Sequence, residues 1–153
     1  MEVIKGPRGD FSEIAHRLWQ GGTQDSEVLD GSGPSDSSNE ECGFTVVVTL
    51  DARSRPFGWG VKELRYGFED GPLDRAEIPR ILEVADWAFE NWQKGEKVLI
   101  RCQAGANRSG LITGIVLMKD GMSAAKAIEM IRAKRKFGLS NSDFVKFLFE
   151  IGG

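Results

Sequence analysis

Buried β-strands are predicted where apolar residues run almost without interruption. Residues 44–50 (FTVVVTL) are rich in β-branched side chains, and residues 97–101 (KVLIR) have an apolar centre. Both runs are typical of strands that are covered on both faces of a sheet. Residues 14–20 predict one short strand that a Gly-Gly turn stops. Residues 62–68 predict a further short strand.

Amphipathic helices are predicted where apolar residues recur with a 3.6-residue period. The clearest is 75–93, in which apolar positions at i, i+3, i+4, i+7, i+11 and i+14 from Ile78 share one face. Asp74 is the predicted N-cap of this helix, and Gly95 its stop. Residues 108–118 predict a second helix with a continuous apolar face.

Two more helices follow towards the end of the chain. One covers 124–136 behind an N-cap at Ser123, and the other is opened by Asn141 or Ser140 and continues through Phe149. Strands and helices thus alternate along the sequence. This alternation favours an α/β fold with a mostly parallel central sheet flanked by helices on both faces.

One segment, 30–41 (DGSGPSDSSNEE), differs from the rest because its proline is its one apolar residue. Such a segment cannot bury enough apolar surface to offset the entropy lost on ordering. We predict a flexible low-complexity surface loop without a role of its own. The chain of 153 residues suits a single domain, 1–153, that contains this loop.

Composition and charge narrow the class of protein. Hydrophobic residues make up 41% of the chain and charged residues 28%, as in a soluble domain with a real core. The net charge of −3 gives no basic field for nucleic acid or for an anionic membrane. No apolar run is long enough to cross a bilayer, and the N-terminal residues lack the apolar centre of a secretory signal. We therefore expect a cytoplasmic monomer with no nucleic-acid or membrane partner.

The cysteines and the histidine limit the metal chemistry. Cys42 and Cys102 cannot form a disulfide framework, and with His16 they offer too few ligands for a structural zinc site. We predict that the protein uses no metal and no cofactor. Cys42 is a weak candidate for trapping oxidised Cys102 as a disulfide, because nothing in the sequence places the two residues together.

The segment between the strand at 97–101 and the helix at 108–118 carries the candidate chemistry. A short loop from a strand to a helix N-terminus aims successive backbone N–H groups into one concavity, and the helix dipole adds positive potential. Gly105 allows the backbone to bend, and Arg108 adds a planar donor that fits two phosphate oxygens. This potential favours the thiolate of Cys102, which is the nucleophilic form. The segment is therefore predicted to hold a tetrahedral oxyanion above a sulfur atom.

The spacing Cys102-x5-Arg108-Ser109, between a hydrophobic strand and an apolar helix, resembles the signature loop of cysteine-based protein tyrosine phosphatases. The resemblance is strongest to the compact dual-specificity group. Residues 68–72 (FEDGP) are similar to the movable loop that carries the general acid of that family, and Asn141-x-x-Phe144-x-x-x-Leu148 resembles its closing helix. The likeness extends over 14–149. A Walker phosphate-binding loop is excluded, because the chain has no Gly-Lys-Ser/Thr.

The resemblance implies roles for individual residues. Cys102 attacks phosphorus, and Asp70 first protonates the leaving group and then activates water. Ser109 donates a hydrogen bond to the sulfur as it leaves, although a serine in the first turn of a helix can also bond only to the backbone. The phosphate oxygens are held by the backbone amides and the guanidinium of the loop, namely Gln103, Ala104, Gly105, Ala106, Asn107 and Arg108.

The sequence leaves open which residue is the general acid and how Arg101 affects Cys102. Glu69 and Asp74 compete with Asp70, although a helix N-cap explains Asp74 better and a Gly-Pro pair behind Asp70 suits a hinged loop. Arg101 stands where the family usually has His. Its positive charge raises the thiolate fraction of Cys102 only if the Arg101 side chain lies on the same side of the strand as the sulfur.

Two surface features have a plain and a functional interpretation. A basic cluster either attracts an anionic substrate or, as we favour, accompanies a helix C-terminus; its members are Arg132, Lys134, Arg135 and Lys136. Trp59 follows two arginines in the loop 51–60 and is either a core residue, as we favour, or part of the rim of the substrate cleft.

The resemblance also suggests a substrate. It implies a phosphoprotein or phosphopeptide that carries phosphotyrosine or phosphoserine/threonine. Lipid or RNA phosphates are alternatives within the same chemistry, but the absence of lysine from the loop disfavours a highly charged phosphoinositide. A module that binds phospho-ligands without catalysis is the alternative from another class, and it predicts that the cysteine, the arginine or the acid is missing.

Overall fold

The computed structural model describes residues 3–6, 9–23, 43–51, 56–57 and 60–152. The predicted flexible loop at 30–41 lies outside these residues, and so do Cys42 and Trp59.

The described strands form one mixed sheet. In chain order they are β1 Val3–Gly6, β2 Gly9–Ala15, β3 Leu18–Gly22, β4 Val46–Thr49, β5 Lys62–Arg65 and β6 Val98–Cys102. Their order across the sheet is β1-β2-β3-β6-β4-β5. The pairings of β3 with β6, β6 with β4 and β4 with β5 are parallel, and β1 and β2 add an antiparallel edge. The prediction of an α/β fold around a mostly parallel sheet is confirmed, but the described helices all pack on one face of the sheet, whereas helices on both faces were expected.

The described α-helices are α1 Ile78–Gln93, α2 Arg108–Lys119, α3 Ala124–Lys134 and α4 Ser142–Ile151. The last three begin at the predicted residues, whereas α1 begins at Ile78 and not at residue 75, because residues 75–77 form a 3-10 turn. The Asp74 carboxylate accepts from the backbone of a 3-10 turn that leads into α1, and the Ser123 hydroxyl caps α3. Asn141, rather than Ser140, caps α4, because its Oδ1 accepts from the first backbone N–H groups of that helix.

The prediction of one strand over residues 14–20 is wrong. The segment belongs to a hairpin of two antiparallel strands, β2 and β3, that turns at His16 and Arg17. Arg17 has a φ of 66°, in the left-handed region, and its backbone N–H donates to Glu13 Oε2 at 3.1 Å. This turn lacks the Gly or Asn that usually marks such a position in a sequence.

The two faces of the sheet carry separate hydrophobic clusters, because successive side chains of a strand alternate between faces. On the first face, residues from all four described helices pack against Val46, Val48, Val98 and Ile100. The second face carries a smaller cluster that is mainly aromatic, composed of Phe11, Trp19, Phe44, Val47, Phe57 and Leu99. Cys102 belongs to the first cluster. The sheet therefore presents Cys102 on the helix-covered face, at the carboxyl end of a central strand, where open α/β sheets bind ligands.

Candidate active site

The loop 103–107 connects the last residue of β6, Cys102, to the first residue of α2, Arg108. Its first carbonyls are held by the end of β3. The backbone N–H of Thr23 donates to the carbonyl oxygens of Cys102 and Gln103, each at 3.0 Å. Both carbonyls are thereby turned towards β3.

The later carbonyls of the loop are held from two other directions. Gln20 Nε2 donates to the carbonyl oxygen of Gly105 at 3.1 Å and to that of Ala106 at 3.4 Å. Arg135 Nε donates to the Gly105 oxygen at 3.0 Å, and the Leu139 N–H donates to the Ala106 oxygen at 3.3 Å.

The direction of these carbonyls fixes the direction of the amides. In a trans peptide the N–H of the next residue points opposite to the carbonyl. The N–H groups of Gln103, Ala104, Ala106 and Asn107 therefore point away from the supporting strand and side chains. Together with the start of α2 they line one concavity, and donors arranged in this way suit an anion.

The loop passes so close to β3 that two positions require glycine. Gly105 has a φ of 69°, and a Cβ there would lie 2.7 Å from the backbone of both Gly21 and Gly22. A Cβ on Gly22 would lie 2.9 Å from the carbonyl oxygen of Gln103. Side chains at either position would push the loop off the strand.

The sulfur of Cys102 lies at the N-terminus of α2 with one hydroxyl beside it. Cys102 Sγ is 3.3 Å from Ser109 Oγ, and the backbone N–H of Ser109 donates to the sulfur at 3.4 Å. Cys102 is 1% exposed and Ser109 is fully buried. The structure thus brings the hydroxyl of Ser109 to the sulfur, which is the contact that its predicted role needs.

Arg108 extends from the first turn of α2 towards the segment 68–72. Its Nη1 donates to the carbonyl oxygen of Phe68 at 3.2 Å. Its Nε is buried and meets no acceptor among the residues that the structure describes. A buried donor without an acceptor costs free energy, and an oxyanion in the concavity would satisfy it.

Asp70 is the acidic residue that reaches the phosphate loop. Its Oδ2 accepts from Asn107 Nδ2 and its Oδ1 from Asn141 Nδ2, each at 3.0 Å. Asp74 instead accepts from Ala76 N at 3.0 Å as a cap. Of the three candidates, Asp70 thus contacts the phosphate loop, Asp74 caps the turn before α1, and Glu69 is exposed.

Arg101 lies on the other side of the sheet from Cys102. Its side chain is fully buried, with Nε donating to Thr49 Oγ1 at 3.0 Å and Nη2 donating to Glu63 Oε2 at 3.4 Å. The guanidinium also covers the ring of Phe57 at 5.2 Å. Alternation along β6 thus directs the Arg101 charge into the second cluster, away from the face that carries the sulfur.

Sequence reasoning missed the residues that support the loop. Gln20 is buried in the middle of β3, and a polar residue in an otherwise apolar strand was the available signal. Arg135 is the C-cap residue of α3, as predicted, but its side chain also braces Gly105 and donates to Ser12 Oγ at 3.2 Å. Arg132 also lies at its predicted place, since it donates to the Leu139 carbonyl just beyond α3 at 2.8 Å.

The described residues contain neither a metal site nor a membrane span. Nowhere among them do three or more His, Cys, Asp or Glu side chains come together as ligands for an ion. None of their helices combines the length and the apolar character that crossing a bilayer requires.

Known proteins resemble this chain in sequence and in fold. Residues 32–152 match the family model "Dual specificity phosphatase, catalytic domain". The Dictyostelium discoideum protein named "Probable protein tyrosine phosphatase type IVA B" is 41% identical over 93 residues, which are 60% of this chain and 56% of that protein. "Dual specificity protein phosphatase 1" of Arabidopsis thaliana is 33% identical over 70 residues, 45% of this chain and 35% of that protein. The chain thus spans little more than half of the first relative and about a third of the second.

A solved structure shows the same fold at low sequence identity. The crystal structure of human DUSP28 superposes with a TM-score of 0.76 at 21% identity, covering 99% of this chain and 97% of that one.

Proposed function

Because this chain belongs to the dual specificity phosphatase catalytic-domain family of cysteine-based phosphatases, we propose that it hydrolyses phosphomonoesters through a phosphocysteine intermediate. The proposed substrates are phosphotyrosine and phosphoserine/threonine in proteins. The observation that carries the proposal is the position of the Cys102 sulfur, at the base of an amide concavity in which the carbonyls of Cys102, Gln103, Gly105 and Ala106 are held outward.

The first step is an in-line displacement at phosphorus. The thiolate of Cys102 forms the S–P bond while the P–O bond to the substrate breaks. The loop amides and the guanidinium of Arg108 hold the three equatorial oxygens, where charge is greatest in the transition state. Asp70 gives its proton to the departing oxygen, so that a neutral alcohol or phenol leaves.

The second step reverses the chemistry with water. Asp70, now a carboxylate, takes a proton from a water molecule as that water attacks the phosphocysteine. The S–P bond breaks, inorganic phosphate forms and the thiolate returns. Ser109 Oγ, 3.3 Å from the sulfur, donates a hydrogen bond to the leaving thiolate in this step.

The choice of substrate class depends on the lining of the loop. Between Cys102 and Arg108 it has no lysine, so it lacks the extra cations that a highly charged phosphoinositide would require. A binding module without catalysis is disfavoured, because the nucleophile, the arginine and the acid are all present and adjacent to the loop.

A hydrolysis screen tests the proposal. Phosphotyrosine peptides, phosphoserine/threonine peptides, phosphoinositides and RNA 5′-triphosphate are compared at equal concentration, with and without EDTA. We expect the peptides to be hydrolysed fastest, with EDTA having no effect and vanadate inhibiting. Fastest turnover of a lipid or an RNA substrate would contradict the proposed protein substrates and assign that other substrate class, while the chain would remain a phosphatase of the same family.

The Cys102→Ser variant tests the mechanism itself. The serine hydroxyl fills the same space but is almost never ionised at neutral pH, so we expect turnover to disappear while vanadate still binds. Activity that survives in this variant would contradict a phosphocysteine intermediate.

The proposal also covers the domain organisation, the oligomeric state and the location of the protein. We propose that the chain forms a single domain over 1–153, acts without metal or cofactor, and is a monomer in the cytoplasm. Light scattering on the purified chain measures the oligomeric state, and imaging of a tagged chain measures its location.

A further inference from the structure

We propose that Asn107 and Asn141 are positioning residues that hold the carboxyl group of Asp70 over the phosphate loop. The inference rests on the proposed function, in which Asp70 is the general acid. It goes further because it assigns the alignment of that acid to two amide side chains, one in the phosphate loop and one at the start of α4.

The two amides bind both oxygens of the carboxyl group. Asn107 Nδ2 donates to Oδ2 of Asp70 and Asn141 Nδ2 donates to Oδ1, each at 3.0 Å. Asn141 Nδ2 also donates to the carbonyl oxygen of Gly71 at 2.9 Å. Both amide protons of Asn141 are therefore directed to the acid-bearing segment.

The orientation of each amide is fixed by its oxygen. Asn141 Oδ1 accepts from the backbone N–H groups of Asp143 and Phe144, at 3.0 and 3.3 Å. Asn107 Oδ1 accepts from the backbone N–H of Asn141 at 2.8 Å. An amide nitrogen cannot accept these protons, so in both residues the NH₂ end must face Asp70.

The same helix start holds the acid-bearing segment at a second point. Asp143 Oδ2 accepts from the backbone N–H of Leu73 at 2.8 Å. The phosphate loop, the segment 68–73 and the N-terminus of α4 are thus joined by hydrogen bonds. An exposed carboxyl group such as Asp70 otherwise rotates freely, and proton transfer requires it to be within hydrogen-bond reach of the leaving oxygen.

The Asn141→Ser variant separates positioning from folding. Serine keeps an oxygen that caps α4 and removes both donors to the acid-bearing segment. We expect kcat on a phosphotyrosine peptide to fall at least about 10-fold, a part of the roughly 10²–10⁴ that a positioned acid contributes. Turnover of dinitrophenyl phosphate should be unchanged, because its leaving group departs without a proton.

The matched control is Asn91→Ser. Asn91 lies in α1 and bonds to Lys62 and Trp87, at the opposite end of the sheet from the loop. This substitution should leave the ratio of the two rates unchanged. Equal losses on both substrates in Asn141→Ser would indicate a structural role and overturn the proposal.

A double-mutant cycle shows whether Asn141 acts through Asp70. In an Asp70→Ala background the Asn141→Ser substitution should have no further effect on kcat, since the group it positions is gone. A further loss of the same size in that background would contradict the inference. Asn107→Ser should follow the same pattern in both backgrounds.

The contacts are also measurable without activity. In ¹⁵N-labelled protein, Asp70→Ala should shift the side-chain NH₂ signals of Asn107 and Asn141 but not that of Asn91. If the wild type hydrolyses no phosphomonoester, the proposed function fails while these shifts still report the contacts. If the enzyme is active and the signals do not move, the positioning inference alone is wrong.

Discussion

Adjacent residues of β6 place polar groups of opposite character on the two faces of the sheet. On the first face, Cys102 ends the strand beside amides that point into an open concavity, and the buried Nε of Arg108 meets no acceptor among the described residues. On the second face, the guanidinium of Arg101 bonds to Glu63 and Thr49 under an aromatic cluster. One face keeps donors for a ligand, and the other pairs its charge inside the protein.

This difference explains why an arginine is tolerated directly before Cys102. A buried guanidinium is costly unless a carboxylate and further hydrogen bonds accompany it. Glu63, whose side chain is 13% exposed, supplies the carboxylate from β5 and also accepts from the Phe57 backbone N–H at 3.0 Å. The departure from the family pattern at residue 101 is therefore a matter of packing on the second face.

Replacing arginine by lysine on each of the two faces should give the largest difference in kcat between two variants. Arg108→Lys keeps the charge but loses the planar pair of donors, and we expect kcat to fall by about 10³-fold or more. Arg101→Lys should keep kcat within a few-fold and lower the free energy of unfolding by roughly 1–3 kcal/mol through lost hydrogen bonds. Steady-state kinetics and urea unfolding of both variants measure the two effects. A large loss of kcat in Arg101→Lys would break the separation between the faces.

The acid gives the next largest effect. Asp70→Asn should lower kcat on a phosphopeptide by about 10²–10⁴-fold and flatten the basic limb of the pH–rate profile, which reports loss of the acidic proton. The loss should shrink for aryl phosphates with good leaving groups. Asp74→Asn is the control, because Asn caps a helical turn about as well as Asp. A crippled Asp74→Asn with a mild Asp70→Asn would mean that the acid is misassigned.

On the second face, removing the carboxylate should affect stability instead of catalysis. Glu63→Ala removes a carboxylate that faces the buried guanidinium of Arg101, and the loss of the charged partner of a buried ion pair costs about 3–5 kcal/mol. Urea unfolding measures this change, and kcat per folded molecule at low temperature should stay near the wild-type value. Unchanged stability would show that the ion pair contributes nothing to the fold.

Restoring the usual residue of the family should leave the sulfur unaffected. Arg101→His changes a side chain on the second face, so the pH dependence of Cys102 alkylation by iodoacetamide should match that of the wild type. A shifted midpoint would show that the charge of residue 101 acts through the sheet.

An exposed ion pair provides the smallest effect and a reference for the buried one. The Arg75 guanidinium donates to Glu150 at 2.7 and 3.0 Å, and this hydrogen bond holds the pKa of the Glu150 carboxyl below its usual range. A lowered pKa adds stability above the unfolded-state pKa, and this is lost as the pH falls through the folded-state value. Glu150→Gln should remove this pH dependence and leave neutral-pH stability unchanged within error, since exposed pairs contribute little. A loss as large as that of Glu63→Ala would contradict the distinction between the two pairs.

The sequence predicts the parts of the fold that depend on local pattern. The buried strand at Val46–Thr49, the apolar face of α1 and the caps at Asp74 and Ser123 follow from periodicity and from hydrogen bonds within a few residues. The hairpin at Arg17 was missed because its left-handed residue is held by a side-chain contact and not by glycine.

The residues of the candidate site also fall into two groups, those that the sequence reveals and those that it does not. The spacing of Cys102 and Arg108 and the Asp-Gly-Pro behind residue 69 are visible in the sequence, and the structure brings them together. The supports were not visible, because Gln20 bonds to a loop residue 85 positions away and Arg135 to one 30 positions away. Pattern reasoning has no means of pairing such distant residues.

The close approach of Gly105 to Gly21 and Gly22 bears on how far the motif can be transplanted. A graft that carried only Cys102 to Ser109 onto another sheet would leave behind the strand whose bare backbone receives the loop. A host strand with a side chain at the position of Gly22 would meet the carbonyl oxygen of Gln103, force the loop outward and redirect its amides. The portable unit is therefore a pair of neighbouring parallel strand ends, Gly22 and Cys102, which about half of the chain separates in sequence.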